Sequence, residues 1–134
     1  MHEWSLAEAV LKSSVEEAQK RDLKRLTEVK VVLGELQGIE EEIVKFGLDN
    51  LKKGTMAEDA DFIFIKEYAS FQCRNCQNIW ELHEIDLHDY SIKESIHFVP
   101  EVVHSFIRCP KCGSPDFEVV KGRGIYIQEI SGED

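Results

Sequence analysis

Between Ser5 and Lys20 the apolar residues Leu6, Val10, Leu11, Val15 and Ala18 return at helical spacing, which predicts an amphipathic helix. Ser5 is placed to cap it, with Glu8 three residues on as the second half of a capping box. Arg21 to Thr27 reads as a polar connection. Glu28 to Leu36 (EVKVVLGEL) alternates and is rich in β-branched residues, which predicts a strand. Ile39 to Lys53 has the pattern of a second helix, with Ile39, Ile43, Phe46, Gly47 and Leu51 turned to the core. Its charges suit the helix dipole: Glu40, Glu41 and Glu42 open it, Lys52 and Lys53 close it, and Gly54 follows. Asp61 to Tyr68 (DFIFIKEY) is a short, nearly continuous apolar run, expected to be a strand buried on both faces.

The pattern then changes. From Ala69 to about Pro115 aliphatic repeats are few, and the stretch reads as too short and too polar to hold a core of its own, so a bound metal is expected to organise it. Phe117 to Ile130 (FEVVKGRGIYIQEI) regains strand character around a Gly122-Arg123-Gly124 break. These elements predict an α+β fold of two helices on a three-stranded mixed sheet, built from strands at 28–36, 61–68 and 117–130. A small zinc-ribbon-like module is inserted between the second and last strands. The expected division is a discontinuous α+β domain, residues 1–69 plus 116–134, and a module at 70–115.

All four cysteines fall in that module, as Cys73-x-x-Cys76 and Cys109-x-x-Cys112. Two residues between thiols let one tight turn aim both sulfurs at one centre, and two such turns complete a tetrahedral four-sulfur shell that suits zinc. Pro110 and Gly113 supply the turn chemistry of the second pair. A closed shell of four thiolates has no position for water, so a structural role is expected. The same pairs also suit the iron centre of rubredoxin-like electron carriers, and two disulfides are the remaining alternative.

The chain of 134 residues carries a formal charge of −10 and is 43% hydrophobic. Its Lys and Arg are interspersed with acids, which argues against nucleic acid or an anionic membrane as partner. No apolar run approaches a bilayer span, and MHEWSLAEAV lacks the features of a signal peptide, so a cytoplasmic protein is expected. No Ser/His/Asp constellation, phosphate loop or carboxylate pair points to an enzyme.

That N-terminus has chemistry of its own. The α-amine of Met1, the amide nitrogen of His2 and the His2 imidazole can form fused chelate rings, a planar nitrogen set that suits Ni(II) or Cu(II), and the alternative is an ordinary solvent-exposed terminal histidine. The amide of Glu3 or a distant histidine completes the set. His97 and His104 bracket an apolar stretch, HFVPEVVH, and are candidate auxiliary donors.

Together, the Met-His-Glu start, VVLGELQGI, the two CxxC pairs and VVKGRGIYIQEI resemble the HypA/HybF family of nickel metallochaperones over nearly the whole chain. The resemblance implies nickel bound through His2 with the backbone nitrogens of His2 and Glu3, and a structural zinc on Cys73, Cys76, Cys109 and Cys112. It also implies delivery of nickel to the large subunit of NiFe-hydrogenase, with a HypB-type GTPase as partner. Residues 1–69 plus 116–134 are then the nickel-binding domain and 70–115 the zinc-binding domain. The segment between the pairs is longer than in many bacterial members. Without the nickel site, the alternative is a zinc-ribbon adaptor for another macromolecule.

Overall fold

The first helix, α1, spans Glu3–Lys20 in the computed structural model, which describes residues 3–84, 96 and 103–134. Ser5 therefore lies inside its first turn, and no Ser5 cap forms. The stripe that α1 buries consists of small residues, Ala7, Ser14 and Ala18, together with Val10. The Ser14 hydroxyl satisfies itself on the Val10 carbonyl at 2.7 Å. The small stripe lets α1 approach the second helix, α2 (Glu41–Leu51), closely. A Cβ placed on Gly47 would stand 3.0 Å from the Ala7 Cβ and 3.3 Å from the Trp4 ring. Val44, Gly47 and Leu48 are the buried face of α2, whereas Ile43 and Phe46 are exposed. The expected core face was thus rotated by about one residue. The helix is apolar on two sides, and contact with α1 selects between them.

Strands β1 (Arg25–Gly34) and β2 (Asp61–Glu67) fall near their expected places, and with the last strand, β6 (Ile125–Glu133), they form a sheet in the order β2-β1-β6. Arg25 pairs with Glu133 at 3.0 Å and Lys30 with Glu129 at 3.4 Å, so β1 and β6 run antiparallel. Ile63 and Ile65 of β2 are exposed, so β2 is not buried on both faces as expected.

A second sheet, β4-β3-β5, is built from β3 (Ser70–Cys73), β4 (Ile79–Glu81) and β5 (Phe117–Lys121). The single closing strand expected over 117–130 is therefore two strands in two sheets, divided at Gly122-Arg123-Gly124. Antiparallel registers place Phe71 opposite Trp80 on one side and Val119 on the other, and Cys73 opposite Phe117. Phe71, Trp80 and Phe117 form a closed aromatic triad with ring centroids 5.3–5.6 Å apart. Leu36, Ile96, Val103 and Ile107 pack around the same core. The expectation that this segment lacks a core is overturned. Most of this core comes from the stretch itself, from residues scattered singly among polar ones (Phe71, Trp80, Val103, Ile107), and Leu36 and Phe117 complete it from outside.

The chain divides into two compact units. One comprises Leu33–Gly38 and Lys66–Gly124, the other His2–Val32, Ile39–Ile65 and Ile125–Asp134. Within the first, the N–H of Gly34 donates to the Gly124 carbonyl at 2.8 Å and that of Leu36 to Gly122 at 2.9 Å. The Glu35 carboxylate accepts from the Ala69 N–H at 2.8 Å, and that of Glu67 from the Gly122 N–H at 2.9 Å. A one-turn helix, α3 (Val103–Phe106), precedes the second cysteine pair.

Candidate metal centre

The two cysteine pairs sit in turns of the same design. In the first, the Cys73 N–H donates to the Asn78 carbonyl at 2.9 Å and the Gln77 N–H to the Cys73 carbonyl at 3.0 Å. In the second, Cys109 donates to Ser114 at 3.0 Å and Gly113 to Cys109 at 2.8 Å. Each turn needs a left-handed residue after its second cysteine. Gly113 (φ 77°) fills that place in one and Gln77 (φ 68°) in the other. The Arg74 guanidinium joins the turns through Asp116 at 2.9 Å and the Phe117 carbonyl at 3.3 Å.

All four Sγ atoms lie within 4.8 Å of one another. Cys73 and Cys112 are 3.5 Å apart, as are Cys76 and Cys109 at 3.6 Å. A disulfide would bring the sulfurs to about 2.05 Å, so the cysteines are free thiols and the disulfide reading fails. Four sulfurs about 2.3 Å from one ion stand about 3.8 Å apart along each tetrahedral edge. The observed spacing fits that arrangement, and the chemistry of the donor set fits zinc.

The cluster is prepared for charge. The N–H groups of Asn75 and Cys76 point at the Cys73 sulfur at 3.3 and 3.4 Å, and that of Cys112 at Cys109 at 3.5 Å. Burial resists ionisation of Cys109, but the N–H groups of Cys112 and Lys111 outweigh it and bring the thiol down to about 6. Cys112 is held below the usual thiol value chiefly by the Asn75 side chain. At Cys76 the Asn78 N–H favours the thiolate, yet burial and the three neighbouring sulfurs push it up to about 11. One cluster thus holds both an easily ionised thiol and a reluctant one.

The other candidates are distributed differently. Met1, His2 and His97 lie outside the described residues. Glu3 opens α1, and its carboxylate accepts from the Glu40 N–H, at the start of α2, at 3.5 Å. His104 lies on α3, exposed, with its ring stacked on Phe117 at 4.4 Å. Two polar residues escaped the sequence reading: the side chains of Asn75 and Asn78 donate to Cys112 and Cys109 at 3.6 and 3.8 Å. Their only signal was position, two and five residues after Cys73. Among the described residues no helix is long and apolar enough to cross a membrane.

Residues 1–132 match the family described as "Hydrogenase/urease nickel incorporation, metallochaperone, hypA". The hydrogenase maturation factor HypA of Pyrococcus furiosus is 56% identical over 131 residues, covering 97% of this chain and 94% of its own. That of Thermococcus kodakarensis is 54% identical over 134 residues, covering 99% and 96%. The solution structure of the Ni metallochaperone HypA from Helicobacter pylori superposes with a TM-score of 0.63 at 17% identity, covering 99% of this chain and 98% of that one, a likeness of fold.

Proposed function

The chain belongs to the HypA family of nickel-incorporation metallochaperones for hydrogenase maturation, and from that premise we propose that it binds Ni(II) at its N-terminus and helps deliver it to the large subunit of NiFe-hydrogenase. The match of the family over residues 1–132 is the observation that carries this reading. His2 supplies the imidazole, the amides of His2 and Glu3 supply nitrogens, and the α-amine of Met1 is a further donor. Two features of α1 support this set. The first N–H groups of a helix have no partner within it, so a metal that displaces the Glu3 amide proton breaks no helical hydrogen bond. The Glu3 carboxylate is engaged with the start of α2, which leaves the backbone nitrogen of that residue as the natural donor. The four cysteines hold a structural zinc, a HypB-type GTPase is the partner in the hand-over, and the setting is the cytoplasm.

Calorimetric nickel titrations of the zinc-saturated protein test the site. His2→Ala is expected to abolish one-site binding with little change in melting temperature. Adding one residue before Met1 weakens binding if the α-amine is a ligand and is tolerated if the imidazole and amides suffice. His97→Ala and His104→Ala, titrated alongside, show whether either histidine adds a donor. Full-strength binding by His2→Ala overturns the N-terminal site.

A further inference from the structure

The sulfur cluster has an asymmetry that its ligand pattern does not explain. Among the described residues both side-chain donors come from the first turn, and both reach sulfurs of the second: Asn75 to Cys112 and Asn78 to Cys109. The places they occupy, two and five residues after the leading cysteine, are held in the second turn by Lys111 and Ser114. Cys112 is also the exposed residue of the four, whereas Cys73 and Cys109 are buried. An exposed thiolate is the one that water or a competing ligand meets first. A hydrogen bond to a metal-bound thiolate draws charge off the sulfur and fixes its direction, so partners outside the ligand shell tune both affinity and exchange.

We propose that Asn75 and Asn78 are positioning residues that hold the second cysteine pair on the metal and set how fast the metal leaves, with Cys112 the sulfur at which it begins to leave. This rests on the cysteine cluster holding a metal. Asn75 acts on the exposed sulfur and so governs the first bond to open. Asn78, half-buried beside buried Cys109, acts on a sulfur that solvent does not reach, and its loss matters less to the rate.

The test uses the full chain loaded with zinc, and in parallel with cobalt as a spectroscopic substitute. Release to an excess of a chromophoric chelator is timed for wild type, Asn75→Ala, Asn75→Asp and Asn78→Ala. Loss of a partner of this kind costs about 10- to 100-fold, so Asn75→Ala is expected to speed release at least about tenfold, and Asn78→Ala by less. Asn75→Asp keeps the side-chain shape but has no N–H at neutral pH, so it releases metal at least as fast as the alanine variant. In the cobalt protein, removing an N–H donor raises the energy of the sulfur lone pairs, so the sulfur-to-cobalt charge-transfer band moves to lower energy. A side chain that only supported the fold would leave that band in place. Cobalt uptake with wild-type release rates and band positions in all three variants overturns the inference alone. No cobalt uptake by the wild-type chain overturns the metal reading as well.

Discussion

Gln77 does in the first cysteine turn what Gly113 does in the second, and it does so with a Cβ in the way. A left-handed conformation costs a non-glycine residue about 1–2 kcal/mol, so Gln77→Gly is expected to raise the stability of the metal-loaded protein by up to about 1 kcal/mol once the added freedom of the unfolded chain is counted. Denaturant titration measures it, and a loss of stability would mean that the Gln77 side chain matters more than its backbone. Gly34 is constrained by distance instead: a Cβ there would stand 2.5 Å from the Gly122 oxygen and 2.6 Å from that of Gly124. Both are backbone atoms fixed by hydrogen bonds, so Gly34→Ala should cost about 2 kcal/mol or more, read as a fall in the denaturant midpoint. The thiols give a pH dependence with a definite sign. Metal must displace the Cys76 proton at any pH below about 11, and the Cys109 proton as well below about 6. Zinc affinity therefore rises with pH, and the slope is steeper below pH 6 than above it. Competition titrations with a chelator check this, and an affinity flat from pH 6 to 9 would refute it. Of these residues the sequence showed the four thiols and Gly113, because spacing and glycine are local signals. Gln77 and the two asparagines were not legible, because what marks them is a dihedral angle and a reach across to the other turn.

At the scale of elements, periodicity succeeded where one partner sufficed and failed where two competed. Helix α1, strand β1 and strand β2 were found within a few residues of their expected bounds. The register of α2 was not, because Ile43 and Phe46 are as apolar as Val44 and Leu48, and only the small stripe on α1 decides between them. The aromatic triad was hidden for another reason: Phe71, Trp80 and Phe117 are scattered among polar residues and meet only through the pairings of β3 with β4 and β5. Its presence changes what metal removal should do. The triad and its strand ladder persist, while the turns open. With chelator, amides of the turns, such as Asn75, Cys76 and Cys112, are expected to exchange faster by at least about an order of magnitude, and the β3–β5 ladder to stay protected. Equal loss of protection in turns and ladder would show that the metal, rather than the triad, organises the segment. Conversely Phe71→Ala, at a fully buried site, should cost about 3–5 kcal/mol even with zinc saturating.

For the whole molecule the two tryptophans make convenient reporters, since Trp80 is buried in the unit that holds the cysteines and Trp4 is exposed on α1 of the other. A ligand stabilises what it binds by mass action. In a Trp4→Phe background, added zinc is expected to raise the melting temperature seen by Trp80 fluorescence more than that seen by the helical signal of α1 and α2. Equal shifts would mean that the units melt as one. The chain passes between the units after Val32, Gly38, Ile65 and Gly124. That interleaving has a consequence for synthesis on the ribosome. The cysteine unit cannot close until β5 has emerged, because Phe117 completes its triad, and β1 has no second neighbour until β6 follows. A nascent chain stalled after β4 and before residue 117 therefore presents two open strand edges at once, the situation in which chains adhere to one another. Vectorial folding, segment by segment from the N-terminus, is not open to this protein. Strands β5 and β6 close the two sheets, so neither unit can be assembled before its own closing strand has been made.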